Sequence, residues 1–227
     1  MNSLMNIWHG LDWSVLLNML LNIVPALICI TLHELSHGAV AYALGDDTAR
    51  KAGRLTLNPI AHIDWWGLVM MVLFRFGWAK PVPVNMYRFK NPKRGMAITA
   101  LAGPVSNVII AAVFLFLYGV LYTPLFLHGN AVTTAIEQMI MTTSYLSLAL
   151  AIFNFVPISP LDGSKVLFSF LSDEAYYKLM RYERYGMILL MVLVATGATS
   201  GVLSAVTGWA YDKLFFLAQF GFDLVNH

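Results

Sequence analysis

The sequence carries Thr31-Leu-His-Glu-Leu-Ser-His37 in the middle of a long apolar stretch, residues 15–44. A helix of about 20 apolar residues crosses the hydrocarbon core of a bilayer. Ionisable groups inside such a helix are costly, and they are functional by default. The stretch therefore predicts a membrane-spanning helix that carries a functional site.

The spacing of His33 and His37 indicates a metal site. Four residues advance a helix by a little more than one turn, which places both imidazoles on one face, about 6 Å apart along the axis. A tetrahedral zinc ion can bind both rings, and Glu34 can act as general base toward a metal-bound water without being a ligand. Two helix-interior histidines satisfied by their neighbours are the less favoured interpretation.

A catalytic zinc needs a third protein ligand. Val40 and Ala43 exclude the longer motif in which a third histidine follows on the same helix. The remaining candidates are Asp162, His62, His9 and His128. Asp162 follows a stretch broken by Pro157 and Pro160, and a membrane tolerates such backbone only where it lines protein or a cavity. As a bare aspartate it could also be a helix N-cap.

Composition supports a membrane protein. Of the 227 residues, 59% are hydrophobic and 11% are charged, which excludes a disordered chain. The 14 basic and 12 acidic residues leave a net charge of only +2, so no basic excess suggests nucleic-acid binding. We expect one integral-membrane domain over residues 1–227, all-α, with four spans at residues 15–44, 96–122, 133–155 and 185–206.

The segments between these spans predict the orientation. Nine basic residues lie in residues 45–95 and four in residues 162–184, so thirteen of fourteen fall on one side. The positive-inside rule makes that side cytoplasmic. Residues 65–74 are apolar but too short to cross, which predicts a re-entrant segment. Alternation at residues 53–58 and 80–85 predicts short cytoplasmic β-strands, the second an edge strand because of its prolines.

Two further features have structural interpretations. Gly103-Pro104, at the start of an apolar helix, indicates close helix packing rather than catalysis. The basic run at residues 88–94 is typical of a solvated strip that faces lipid headgroups.

Five motifs stand out when the chain is read as a whole. They are His33-Glu-Leu-Ser-His37, Asn58-Pro-Ile-Ala-His-Ile-Asp64, Phe76-Gly-Trp-Ala-Lys-Pro-Val-Pro-Val-Asn85, Leu101-Ala-Gly-Pro-Val-Ser-Asn107 and Asn154-Phe-Val-Pro-Ile-Ser-Pro-Leu-Asp-Gly163. Together they resemble the site-2 protease family, which are intramembrane zinc metalloproteases, in the compact bacterial or archaeal form. No stretch is long enough for the PDZ or CBS domain of larger relatives.

The resemblance implies a role for each matching residue. His33, His37 and Asp162 would bind one Zn²⁺ per chain, Glu34 would be the catalytic base, and Asn154 would help to hold the scissile carbonyl or its oxyanion. The substrates would be transmembrane proteins, cut inside the bilayer of a prokaryotic cell membrane by a site that opens toward the cytoplasm.

Substrate contacts are expected on the cytoplasmic side. A helical substrate must unwind before attack, and the edge strand at residues 80–85 could hold it by β-addition, which makes Pro83 and Val84 candidates. Asn58 and His62 could support the site or merely satisfy loop backbone. The alternative function is a non-catalytic zinc-binding scaffold or a transporter, although a transporter usually has an inverted repeat that this chain lacks.

Overall fold

The computed structural model describes residues 13–67 and 79–226, and within them it is helical with no β-strand. The α-helices are α1 (Trp13–Ala43), α2 (Thr48–Lys51), α3 (Pro92–Leu121), α4 (Ala131–Phe155), α5 (Asp162–Phe168), α6 (Asp173–Arg181), α7 (Glu183–Ala195), α8 (Ser200–Leu214) and α9 (Phe216–Asn226). Two 3-10 turns, Pro59–His62 and Met86–Arg88, and a π-helical segment, Tyr122–Phe126, complete the described elements. The predicted all-α class is confirmed.

Three helical stretches are long and apolar enough to cross a membrane. They are Leu21–Ala43, Pro92–Leu125 and Ala131–Phe155, and they match the first three predicted spans. Their outward faces carry exposed apolar side chains such as Ile109 and Val113. Because helices satisfy their own backbone hydrogen bonds, these faces suit contact with lipid.

The fourth predicted span is not one continuous helix. Residues 185–206 fall on α7 and α8, which are separated by a short break, and Glu183–Ala195 and Ser200–Asn226 meet at 84°. Gly197 lies in the break at φ +68°, a left-handed conformation that glycine adopts without steric cost and that ends a helix. The span count is therefore three, or four if the bent pair crosses as one unit.

The predicted strand at residues 53–58 does not form, and this prediction was wrong. Gly53, at φ +66°, closes a turn after α2, and the Arg54 N–H bonds back to the Ala49 carbonyl at 2.9 Å. The Asn58 side chain then caps the following 3-10 turn by accepting the Ile60 N–H. These local hydrogen bonds leave the segment without the regular extension of a strand.

The predicted edge strand at residues 80–85 was also wrong as a strand, although the segment contains no helix, turn or bend. Pro81 and Pro83 have no N–H to donate to a ladder, and each keeps the preceding residue extended. A single antiparallel bridge between Ile63 and Ala79 is the only ladder contact among the described residues. The segment is therefore an extended strip beside α1 rather than part of a sheet.

The predicted re-entrant segment lies mainly outside the described residues, since only residues 65–67 of residues 65–74 are described. Trp65 and Trp66 are strongly exposed. The re-entrant path stays a prediction.

Helix α3 is the central element of the bundle. It packs against α1, α4, α5 and α9. The contact with α9 is close enough to require glycine, because a Cβ at Gly119 would overlap the Ala218 carbonyl and a Cβ at Gly221 would lie 2.5 Å from the Phe116 carbonyl oxygen. Small residues at crossings of this kind let membrane helices approach closely.

Asp46, just beyond the end of α1, ties this helix to the extended strip. Its side chain is fully buried; one carboxylate oxygen accepts the Thr48 N–H and hydroxyl, and the other accepts the Asn85 N–H at 2.6 Å. Burial alone would raise the pKa of Asp46, but these hydrogen bonds and the nearby Arg88 guanidinium bring the pKa below its ordinary value. The strip is thus anchored through an ionised carboxylate.

We expect Asp46→Asn to destabilise the chain by about 1–3 kcal/mol at neutral pH, because a charge-assisted buried hydrogen-bond set is lost. The folded-state pKa lies below the unfolded value of ~3.9, so this stabilisation is present above that value and disappears as pH falls through the folded pKa. Unfolding in detergent micelles at pH 7 and pH 3, with hydrogen exchange at residues 80–88, measures both effects. Asp212→Asn, an exposed carboxylate, is the control, and equal stability of the two variants at pH 7 would contradict the anchoring role.

Candidate metal centre

Helix α1 presents His33 and His37 side by side. Their Nε2 atoms lie 3.1 Å apart. His33 is buried, and the His37 side chain is only 12% exposed. The four-residue spacing thus brings two imidazole lone pairs together within the membrane-spanning part of the helix.

Asp162 reaches the two histidines from a distant part of the chain. Helix α4 ends at Phe155, the chain turns back through the proline-containing stretch, and Asp162 begins α5. Its Oδ2 lies 3.2 Å from His33 Nε2 and 3.1 Å from His37 Nε2. It is not the helix N-cap, since Leu161 occupies that position.

Gly163 makes this return path possible. A Cβ at this position would lie 2.3 Å from the Phe155 carbonyl oxygen, so the first turn of α5 packs directly on the last turn of α4. In the Asp-Gly pair, Asp162 supplies a carboxylate of the kind that binds metals. Gly163 is the small residue that lets this carboxylate approach His33 and His37 on α1.

The three donor atoms fit a zinc ion. Ligands at about 2.0–2.1 Å from a tetrahedral zinc lie roughly 3.3–3.4 Å from one another, and the observed separations are 3.1–3.2 Å. Asp162 Oδ2 is buried and accepts no hydrogen bond from the described residues. Within the described part of the chain His33, His37 and Asp162 are the only such group of three, and no fourth His, Cys, Asp or Glu joins them.

Helix α3 orients both rings from behind. His37 Nδ1 lies 2.8 Å from the Thr99 carbonyl oxygen, which can only accept, so Nδ1 carries the proton and Nε2 is left as a lone pair. The Asn107 amide lies 3.0 Å from His33 Nδ1. Hydrogen bonds of this kind at the second ring nitrogen fix the tautomer of a metal-ligating histidine.

Asn107 was missed by the sequence reasoning as a functional residue. It is fully buried, and its Oδ1 has no hydrogen-bond partner among the described residues. Rotating the amide by 180° gives Oδ1 to the His33 Nδ1–H, as a zinc-ligating imidazole requires. The available signal was its four-residue spacing from Gly103, which puts both on the face of α3 that meets α1.

Gly103 lies between these two contacts and touches the rings themselves. A Cβ there would lie 2.5 Å from His33 Cε1 and from His37 Cε1 and Nε2. The sequence-based interpretation of Gly103 as a close-packing residue therefore agrees with the structure, and the atoms that it accommodates belong to the two imidazole rings.

Glu34 hydrogen-bonds to the extended strip and makes no hydrogen bond to the three donor side chains. Its Oε2 accepts the Val82 N–H at 2.8 Å. The other carboxylate oxygen has no hydrogen-bond partner in the described ranges. Glu34 is thus an acid beside the centre with one oxygen held and one available.

Several other predicted residues make their hydrogen bonds outside the donor triangle. Asn154 donates its Nδ2 to the Leu150 carbonyl at 3.0 Å, near the end of α4. His62 is buried, with Nε2 3.0 Å from the Thr56 carbonyl oxygen. Asn58 is an exposed cap of the 3-10 turn. Neither His62 nor Asn58 contacts the donor triangle in any hydrogen bond of the described residues.

The two other candidates for the third ligand are His128 and His9, and neither belongs to the donor triangle of the described residues. His128 is exposed in the loop before α4. His9 lies outside the described residues. Pro83 and Val84 are half-buried positions of the extended strip, next to the residue that bonds Glu34.

Comparison with known proteins finds similarity to a peptidase family and to proteins named as zinc metalloproteases. Residues 123–198 match the model of Peptidase family M50. The chain is 39% identical over 192 residues to "Putative zinc metalloprotease YwhC" of Bacillus subtilis, covering 85% of this chain and 88% of that protein. It is 27% identical over 190 residues to "Putative zinc metalloprotease Rip2" of Mycolicibacterium smegmatis, covering 82% and 71%. It is 26% identical over 213 residues to "Zinc metalloprotease MJ0392" of Methanocaldococcus jannaschii, covering 92% and 50%.

No solved structure matches the chain significantly.

We expect Gly103→Ala to abolish stoichiometric zinc binding, because the new methyl group needs the space that both imidazoles occupy. Metal content of the purified protein, measured by mass spectrometry, tests this. Gly208→Ala is the matched control, since a Cβ there meets nothing within 4 Å. Full zinc content in the Gly103 variant would show that the rings lie elsewhere.

We expect Asn107→Leu to weaken zinc binding by about 10–100-fold, the usual effect of losing a hydrogen-bond partner of a ligating histidine. Asn107→Asp keeps an acceptor of nearly the same shape, so its affinity should stay near that of the wild type. Competition against a zinc chelator at fixed pH measures both. Equal weakening by the two variants would mean that Asn107 acts through packing alone.

Proposed function

The chain belongs to peptidase family M50, the site-2 protease family, and we propose that it hydrolyses peptide bonds within transmembrane segments of membrane proteins. The observation that carries this proposal is the donor triangle of His33, His37 and Asp162, to which no fourth His, Cys, Asp or Glu of the described residues is added. His33 lies ten residues from the end of α1, or about 15 Å along the helix. That depth favours a substrate bond inside the bilayer over one in a soluble loop.

Zinc is the cofactor expected for a member of this family, and we propose that these three side chains hold one ion per chain. When bound, zinc polarises a carbonyl and lowers the pKa of water toward neutrality. Three protein ligands with an open fourth position are typical of catalytic sites, whereas structural sites are closed by four. The donor set therefore favours hydrolysis over a scaffold role.

Glu34 is proposed as the general base and acid. It follows His33 directly on α1, and one carboxylate oxygen is unoccupied while the Val82 N–H holds the other. It would take a proton from the attacking water as the oxygen bonds to the carbonyl carbon. It would then return that proton to the amide nitrogen as the C–N bond breaks.

Asn154 is proposed to hold the scissile carbonyl oxygen. Its position at the end of α4, just before the return loop to Asp162, supports this role. One Nδ2 proton bonds to the Leu150 carbonyl, and the second proton of that amide remains to donate. Such a donor stabilises the negative charge that develops on the oxygen.

The extended strip is proposed as the surface that receives the unwound substrate, with Pro83 and Val84 in contact. The Val84 N–H and the carbonyls of residues 81–84 make no hydrogen bond within the described part of the chain. An extended peptide can pair with such free groups by β-addition. The same strip bonds Glu34, so this arrangement would present the substrate backbone beside the base.

His62 and Asn58 are proposed to support this strip from below. The His62 carbonyl accepts the Lys80 N–H at 2.9 Å, and the Arg54 guanidinium donates to the Lys80 carbonyl at 2.6 Å. Asn58 begins the turn that ends at His62. These contacts favour a structural role over direct contact with substrate.

The active site is proposed to open toward the cytoplasm of a prokaryotic cell. Basic residues in and beside the strip, among them Arg54, Lys80 and Arg88, belong to the segment that the positive-inside rule assigns to that side. Cleavage products would then leave on the cytoplasmic side.

We expect Glu34→Gln to abolish cleavage of a transmembrane reporter while zinc content stays at one per chain, because the amide cannot carry the proton yet still accepts the Val82 N–H. Gel-based cleavage in proteoliposomes and metal analysis of the same preparation measure the two quantities. Full activity of this variant would contradict the mechanism.

Zinc-edge X-ray absorption on the Glu34→Gln protein separates hydrolase from scaffold. We expect three protein ligands and one solvent oxygen, whereas four protein ligands would favour a structural zinc.

A further inference from the structure

A groove separates the start of α3 from α5 and α6, and none of the three donor residues lines it. It has a volume of about 650 Å³ and is open on one side. One wall is formed by residues 90–101 of the chain and the other by residues 166–177. Because Pro92 begins a predicted membrane span, the groove lies where the chain enters the bilayer.

The rim of the groove carries more positive than negative charge. Lys93 is neutralised, since its Nζ lies 2.9 Å from Asp173 Oδ1 and also donates to the Leu171 carbonyl. Lys90 and Arg94 are exposed, and neither has an ion-pair partner among the described residues. Two uncompensated cations therefore stand at the mouth.

The walls below the rim are apolar. Ile98 and Leu101 follow Arg94 at helical spacings of four and seven, so all three share one face of α3. Val166 and Phe170 form the opposite wall, and the Phe170 side chain is 82% exposed. From Arg94 to Leu101 the groove descends about 10 Å, which is part of the length of an acyl chain.

We propose that this groove binds an anionic phospholipid, with its phosphate at Lys90 and Arg94 and an acyl chain between Ile98 and Phe170. A free anion would leave the apolar walls uncovered. A second transmembrane protein is a less suitable ligand. Its cytoplasmic flank is usually basic by the positive-inside rule, so the basic rim of the groove would repel that flank. The site is separate from the proposed hydrolysis, and its test uses no activity measurement.

Binding of soluble short-chain lipids to the purified full chain in neutral detergent tests the charge requirement. We expect short-chain phosphatidylglycerol to bind at least about tenfold more tightly than short-chain phosphatidylcholine, since basic residues near a membrane surface contribute ~1 kcal/mol each. Lys90→Gln combined with Arg94→Gln should remove that preference. Arg181→Gln combined with Arg184→Gln removes the same charge from exposed positions outside the groove and should retain it.

Zinc content and melting temperature of both double variants establish that they are folded. Equal loss of the preference in the two variants would reduce the effect to overall charge and overturn the site. Complete displacement of the lipid by inorganic phosphate at equal concentration would also overturn it, because a free anion would then be the ligand.

Photo-crosslinking locates the acyl chain. With a phosphatidylglycerol that carries a diazirine in its chain, we expect adducts concentrated on Ile98, Leu101 and Phe170 in the wild type and lost in the Lys90/Arg94 variant. Adducts spread evenly over the exposed faces of α3, α4 and α8 would overturn the proposal. Lipid adducts that are unchanged in the Lys90/Arg94 variant would also overturn the proposal. If that variant at the same time lost crosslinking to a transmembrane substrate, the groove would bind protein and not lipid.

Discussion

The whole arrangement depends on one electrostatic requirement: two imidazoles and a carboxylate must meet at a depth where an unpaired polar group is costly. His33 and His37 belong to α1, whereas Asp162 lies more than a hundred residues later. Each of the three would be destabilising without the others. The path of the chain between them, including the turn at the end of α4 and the close contact at Gly163, serves to bring the carboxylate to the imidazoles.

Helix α3 supplies the second half of that requirement. Thr99, Gly103 and Asn107 recur every four residues and so form one line along the helix. The outer two provide partners for the ring nitrogens that face away from the donor triangle, and the middle one provides space for the rings. The bundle is therefore centred on α3, which orients both imidazole rings and contributes none of the three donor atoms itself.

Sequence reasoning reached three of the four long helices and the His33/His37 pair because both follow simple rules, whereas Asp162 as third ligand rested on the family resemblance. Apolar length predicts spans, and the four-residue separation of His33 and His37 places both on one face. The sequence-based predictions were wrong where local backbone conformation determines the structure. Gly197 breaks the fourth span at a left-handed φ, and Gly53 and Asn58 turn a segment whose alternation resembles a strand. Thr99 contributes a backbone oxygen, which no side-chain pattern can indicate.

The orientations of the two imidazoles differ in how sensitive they are to amino-acid substitution. A residue of similar size to the buried Thr99 would offer His37 the same main-chain oxygen, so such a substitution keeps the hydrogen bond to the ring. His33 depends on an amide that a single nucleotide change can erase. The orientation of His33 therefore depends on the identity of one side chain, Asn107, whereas the orientation of His37 depends on the backbone of α3.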